Sequence, residues 1–226
     1  MSWRSANGDP ATCVPFERWK TILKATLQHL KAKKVPYYVF GGAAFSLQMR
    51  PIRTRDLDVA LLRFPTDKTR EALSTSLEET LLHSGAEEVV RMMPLTRVGR
   101  RLSFTTAFKS GPGLSVELWQ YVDERRPSLF PTEKKILDHS RISITTKESW
   151  IATKIGQPKN LEDRDVHRLA LLCEQADIEE TLRITTHAAL LDNARENLGH
   201  RLSTLGIPIP PSLSKLRRLV EEHTNR

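Results

Sequence analysis

Cysteine is scarce. Cys13 and Cys173 are the two in 226 residues, too few for a disulfide framework and too far apart in sequence for a metal-binding spacing. Long apolar runs are absent too. No stretch approaches the length that crosses a bilayer, and the N-terminus lacks the apolar segment of a signal peptide. The expected location is therefore a reducing one, the cytoplasm, with no membrane partner. Ten glycines and thirteen prolines are too few for a low-complexity chain. The seven histidines have no close ligand spacing, and no internal repeat or Lys/Arg-rich tail is present. What the chain does have is a hydrophobic fraction of 39% and a formal charge of +8. These suit a globular protein whose basic surface meets a polyanion or a triphosphate.

Residues 1–14, with Asn7-Gly8-Asp9-Pro10, read as a loose tail. Phe16 to Lys33 has helical periodicity, with Trp19, Ile22, Leu23, Thr26, Leu27 and Leu30 on one face. Val35 to Phe40 is a short strand ended by Gly41-Gly42, and Ala43 to Met49 a short apolar helix stopped by Pro51. Asp56 to Leu62 is a second strand. Thr66 to His83 is an amphipathic helix with Thr66 opening its cap, and Glu88 to Met92 a short strand. Arg101 to Phe108 and Leu114 to Tyr121 form a hairpin. A short helix is expected after Pro131, then a brief strand at Ile142 to Ile144. From Lys147 the pattern is helical, over about 147–156, 160–175, 178–204 and 212–223. The fold class expected is α+β: a small mixed-sheet domain over 15–145, followed by an all-helical domain over 146–226.

Three features carry chemistry. Gly41-Gly42 lies where a strand feeds a helix. Paired glycines there expose backbone N–H groups and remove the Cβ atoms that keep a phosphate away. Asp56 and Asp58 alternate along a strand and project to one face, while Leu57 points to the other. Two carboxylates beside a triphosphate repel it unless a cation intervenes, and Mg²⁺ takes carboxylate, phosphate and water oxygens. Glu117 sits between Val116 and Leu118 on a face shared with Ser115 and Trp119. A charged residue in such a strand is usually paired or ligating. Read singly, each feature has a plain alternative: a bland turn, a solvated strand end, a solvated sheet face. Read together, they would hold two divalent ions about 4 Å apart. The Asp163, Arg164, Asp165, His167 and Arg168 cluster reads as a salt-bridged helix face.

The run Gly41-Gly42-Ala-Ala-Phe-Ser-Leu47, then Arg53-Thr54-Arg55-Asp56-Leu57-Asp58-Val59, then a later acidic strand residue, resembles the nucleotidyltransferase superfamily with its polymerase-beta-like fold. It looks most like the branch of abortive-infection toxins and minimal nucleotidyltransferases. The resemblance implies that Gly41 and Gly42 hold a triphosphate and that Asp56, Asp58 and Glu117 are the catalytic carboxylates holding two Mg²⁺ ions. It implies flanking cofactor contacts from Arg53, Thr54 and Arg55, with Arg55 facing away by alternation, and a phosphate or acceptor contact from Lys147. The third acidic residue is often Asp in the superfamily. Here it is Glu117, with Asp123 and Glu124 as poorer choices beyond the strand end.

The implied activity is transfer of a nucleoside monophosphate from an NTP, with ATP the expected one, to a hydroxyl of RNA, a protein or a small molecule, with release of pyrophosphate. A non-catalytic nucleotide- or RNA-binding protein that retains the fold is the alternative, and a toxin-like component a third reading. Oligomeric state stays open.

Overall fold

The computed structural model describes residues 9, 11–62, 67–92, 95–96, 99–121, 130–158, 161–202 and 209–225. It divides into two compact units. One comprises the described residues of Gly8–Ser128 and Thr132–Thr145, the other those of Thr146–Arg226 with Phe130 and Pro131. The pattern is α+β, with a mixed sheet in the first unit and helices in the second.

Helix α1 (Phe16–Ala32) starts directly after Pro15 and buries Trp19, Ile22, Leu23, Thr26, Leu27 and Leu30, the stripe its 3.6-residue period demands. Trp19 Nε1 donates to Ile52 O at 2.9 Å, which ties the helix to the segment leading into the central strand. Strand β1 (Tyr37–Phe40) runs into α2 (Gly41–Gln48), where Gly42 to Ser46 are all buried. β2 (Asp56–Leu61) follows, then α3 (Asp67–His83), β3 (Glu88–Met92), β4 (Leu95–Thr96), β5 (Gly99–Ala107) and β6 (Leu114–Tyr121). The hairpin β7 (Thr132–Leu137) and β8 (Ser140–Thr145) completes the sheet. Its order is β3-β5-β6-β2-β1-β8-β7, with β4 beside β5. β2–β6 and β1–β8 are parallel and the other pairs antiparallel. The parallel pairs need long crossovers; α3 and β3–β5 supply the one from β2 to β6. One face of the central strands, carrying Val39, Leu57, Val59, Phe104, Val116 and Leu118, is fully buried core.

The helical unit contains α4 (Lys147–Ile155), α5 (Asp163–Cys173), α6 (Ile178–His187), α7 (Leu191–Glu196), a π-helical continuation at Asn197–Arg201, and α8 (Pro211–Thr224). Asn197 Nδ2 donates to Ile155 O at 2.7 Å and Gln157 O at 2.9 Å, and Asn193 Nδ2 to Gly156 O at 3.1 Å. These bonds serve carbonyls that the end of α4 would otherwise leave unpaired. Among the described residues no helix is long and apolar enough to cross a membrane.

Several expectations need correction. The segment after Pro131 is strand β7, not a helix. It pairs with β8 through a two-residue turn in which Asp138 and His139 have φ of 43° and 68°. Two successive positive φ values match the right-handed twist of a tight hairpin, but Asp-His is not the Asn-Gly or Asp-Gly signature. The helix expected over 178–204 is broken after His187. Ala189 takes φ of 54°, and Leu190 N bonds back to Thr185 O at 3.0 Å. Leu190 then packs so tightly on Gly156 that a Cβ there would meet its side chain at 2.6 Å. Within the expected loose tail, Cys13 and Val14 are fully buried, because the Val14 backbone pairs with Thr54 in both directions, at 2.7 and 3.1 Å. Asp165 and Arg168 are also buried, at 4% exposure each, with Lys154 Nζ 3.1 Å from Asp165 Oδ2. The salt-bridged helix face expected here is present, with Asp165 Oδ1 3.9 Å from Arg168 Nη1, and Lys154 joins it to α4. Thr66, Asp123 and Glu124 lie outside the described residues.

Candidate functional site

Period-two alternation on β2 puts Asp56 and Asp58 on the face opposite the core, both half-buried, with Leu57 and Val59 fully buried behind them. The parallel partner β6 is aligned so that Asp56 faces Ser115, Asp58 faces Glu117 and Ala60 faces Trp119. Facing residues on paired strands project to the same side, and neighbouring strands lie about 4.8 Å apart. The sheet therefore sets all three acidic residues on one face of two adjacent strands. That register is the feature a sequence cannot supply.

Each carboxylate has its own partners. Asp58 Oδ1 accepts from Trp119 Nε1 at 3.2 Å. Glu117 Oε1 accepts from Arg101 Nη1 at 2.9 Å. Thr54 Oγ1 lies 3.0 Å from Asp56 O and 3.3 Å from Asp56 Oδ1, so its proton can steady the backbone or the carboxylate at the start of β2. Burial pushes the Glu117 carboxyl above the usual carboxylate range. Arg101 pulls it back, first by charge and then by its hydrogen bond, while Asp56 pushes it up again and Trp119 favours the charged form. Asp56 and Glu117 thus feel each other directly. As the side chains stand, no three acidic, histidine or cysteine groups among the described residues are gathered into a metal ligand set. The Glu117 carboxylate is turned onto Arg101.

The glycine turn belongs to the same place. Phe40, the last residue of β1, faces Asp58 across the β1–β2 pair. Gly41 follows with φ of 65°, a conformation that favours glycine. A Cβ at position 41 would overlap Asp58 Oδ2. The turn and the carboxylate are fitted to one another, and the helix that starts there has Phe40 as its N-cap, a residue with no side-chain acceptor. Donor chemistry and backbone placement fit a divalent cation: carboxylate oxygens from neighbouring strands beside a helix N-terminus.

The flanking residues fall into two groups. Thr54 is buried and bonded to Asp56 as described. Arg53 Nη1 reaches Cys13 O at 3.4 Å. Arg55 is exposed, and its carbonyl accepts from Ser115 N at 2.9 Å, so its described part in the site is to join β2 to β6. Lys147 lies in the helical unit at the start of α4, where Nζ donates to Gln175 Oε1 at 2.9 Å. Two neighbours of the carboxylates were not read from sequence as site residues. Arg101 stood there as the first residue of a hairpin strand, and Trp119 as a marker of the strand face. The alternation that puts Trp119 beside Glu117 was a usable signal. The reach of Arg101 from β5 was not, because it depends on the register of the hairpin.

No family model matches the chain, and no curated protein matches it in sequence. In structure it is similar to an antigenic nucleotidyltransferase-like protein from Paracoccidioides brasiliensis. The TM-score is 0.52 at 16% identity, over 85% of this chain and 95% of that one. It is also similar to the antibiotic-resistance factor ANT(2'')-Ia, with a TM-score of 0.52 at 14% identity, over 82% of this chain and 99% of that one. At such identities the likeness is one of fold. The chain has the nucleotidyltransferase fold.

Proposed function

We propose that this protein is a metal-dependent nucleotidyltransferase that moves a nucleoside monophosphate from an NTP, ATP being the first to test, to an acceptor hydroxyl. The observation that carries the reading is the register of Asp58 against Glu117, with Asp56 one alternation away and Gly41 packed against Asp58. Asp56, Asp58 and Glu117 would hold two Mg²⁺ ions. When bound, these would offset the triphosphate charge and lower the pKa of the acceptor hydroxyl. The backbone at Gly41 and Gly42 would cradle the phosphates, with the glycines leaving room for close approach. Glu117 stands on β6, the neighbour of β2 on the side away from β1 and its glycine turn. As a ligand it would complete the metal site and help activate the attacking hydroxyl. The new bond joins the acceptor oxygen to the α-phosphorus as the bond to pyrophosphate breaks in line.

For the acceptor, the net charge of +8 supports RNA. A small molecule is the second reading, favoured by the shared fold of ANT(2'')-Ia, an antibiotic-resistance factor. The test is incubation with α-labelled NTPs and Mg²⁺ against total RNA, extract protein and a panel of hydroxylated small molecules. Label transfer is expected, and should be lost with EDTA or in Asp58→Asn. No transfer to any acceptor, with no Mg²⁺-dependent NTP binding, would overturn the proposal.

A further inference from the structure

Arg101 is the cation bound to the third acidic residue of the site face. It sits on β5 opposite Trp119 and reaches diagonally to Glu117 on the same sheet face. Its guanidinium carbon lies 5.3 Å from the centre of the Trp119 ring, within cation–π range. Trp119 in turn donates to Asp58 at 3.2 Å. One guanidinium is thus coupled to two of the three acidic residues, directly to Glu117 and through the indole to Asp58. Arg101 is also incompletely used, since its buried Nε has no hydrogen-bond partner among the described residues. A structural salt bridge would be expected to satisfy that donor.

We infer that Arg101 is a positioning residue that acts as an internal counter-ion. It neutralises the Glu117 carboxylate, which strand register already sets on the site face, and a divalent cation must displace it for the carboxylates to converge. This rests on the proposed two-metal reading. It explains two facts together: the acidic residues are in register on adjacent strands, yet their side chains form no closed ligand set. The guanidinium and the metal compete for one carboxylate, so removing the guanidinium should strengthen metal binding. A plain structural ion pair predicts the reverse, because its loss leaves Glu117 poorly placed.

The experiment is Mn²⁺ binding to the full chain without nucleotide, read from the free-ion signal in electron paramagnetic resonance. Wild type is compared with Arg101→Met, Arg101→Lys and Asp58→Asn. Methionine keeps an apolar stem over Trp119 and removes the charge, whereas lysine keeps the charge. Arg101→Met should bind Mn²⁺ about tenfold more tightly than wild type, the scale of a close charge pair. Arg101→Lys should stay within about threefold of wild type, since an ammonium competes as a cation does. Mg²⁺ should change Trp119 emission at a concentration lowered by the same factor in Arg101→Met, and Trp119→Phe should abolish that change. Equal or weaker Mn²⁺ binding by a folded Arg101→Met, while Asp58→Asn abolishes binding, would overturn the role of Arg101 and leave the metal site standing. Binding indifferent to Asp58→Asn would overturn the metal reading and this inference with it.

Discussion

Alanine at position 41 tests whether the glycine turn and the carboxylate strand form one unit. The substitution has two separable costs. Gly41 has φ of 65°, and an L-residue there loses about 1 kcal/mol. The new Cβ would also overlap Asp58 Oδ2 and lie 3.0 Å from Asp58 Cγ. The carboxylate can rotate away, but it then gives up the Trp119 N–H at 3.2 Å, a bond to a charged group worth about 2 kcal/mol. Together Gly41→Ala should destabilise by about 3 kcal/mol, seen as a lower urea midpoint at unchanged slope. In an Asp58→Ala background the nearest remaining Asp58 contact is the Cβ at 3.3 Å. There the same change should cost about 1 kcal/mol, so the double-mutant cycle should report a coupling of about 2 kcal/mol. An additive cycle, or a Gly41→Ala protein as stable as wild type, would refute the reasoning.

Other expectations follow from the same coordinates. His29 sits between Ser76 Oγ at 3.1 Å and Thr80 Oγ1 at 3.2 Å. Burial, with Lys33 nearby, lowers its pKa against a smaller opposing bond to the Leu73 backbone. The folded ring therefore binds fewer protons than the unfolded one. Its contribution should be intact above about pH 6.5 and be lost as pH falls below that, and His29→Gln should flatten this limb of a urea-stability profile. Burial pushes the Cys173 thiol up to about 12. It should resist a thiol reagent at pH 8 until the protein unfolds, and stability should fall as pH rises past about 9, where the unfolded thiol ionises. Asn197→Ala removes two bonds to the end of α4 and should cost about 2 kcal/mol in thermal or urea unfolding. Asp56→Asn should abolish metal-dependent nucleotide transfer while leaving the fold intact by circular dichroism.

Local periodicity carried most of the sheet unit. Asp56, Asp58 and Glu117 could be assigned to faces because strand side chains alternate strictly, and the Trp19 helix because its buried stripe recurs at helical spacing. Register was beyond the same logic, even for the β5–β6 hairpin that was expected. Nothing in the sequence near Glu117 says that Ser103 on β5 will face it, so the diagonal reach of Arg101 stayed hidden. Two chain reversals were missed for a local reason: Asp138, His139 and Ala189 adopt positive φ without glycine or asparagine. The turn chemistry was atypical, and tertiary packing supplied what propensity did not. The salt-bridged face of α5 was legible in the spacing of its charges, whereas the burial of Asp165 and Arg168 was not.

The most direct test is a crystal structure grown with Mn²⁺ and a non-hydrolysable NTP analogue. Anomalous scattering should place manganese against the side chains of Asp56, Asp58 and Glu117, with the phosphates on the backbone of Gly41 and Gly42 and Arg101 withdrawn from Glu117. Nucleotide bound elsewhere, or no manganese on that face of the sheet at saturating concentration, would contradict the account.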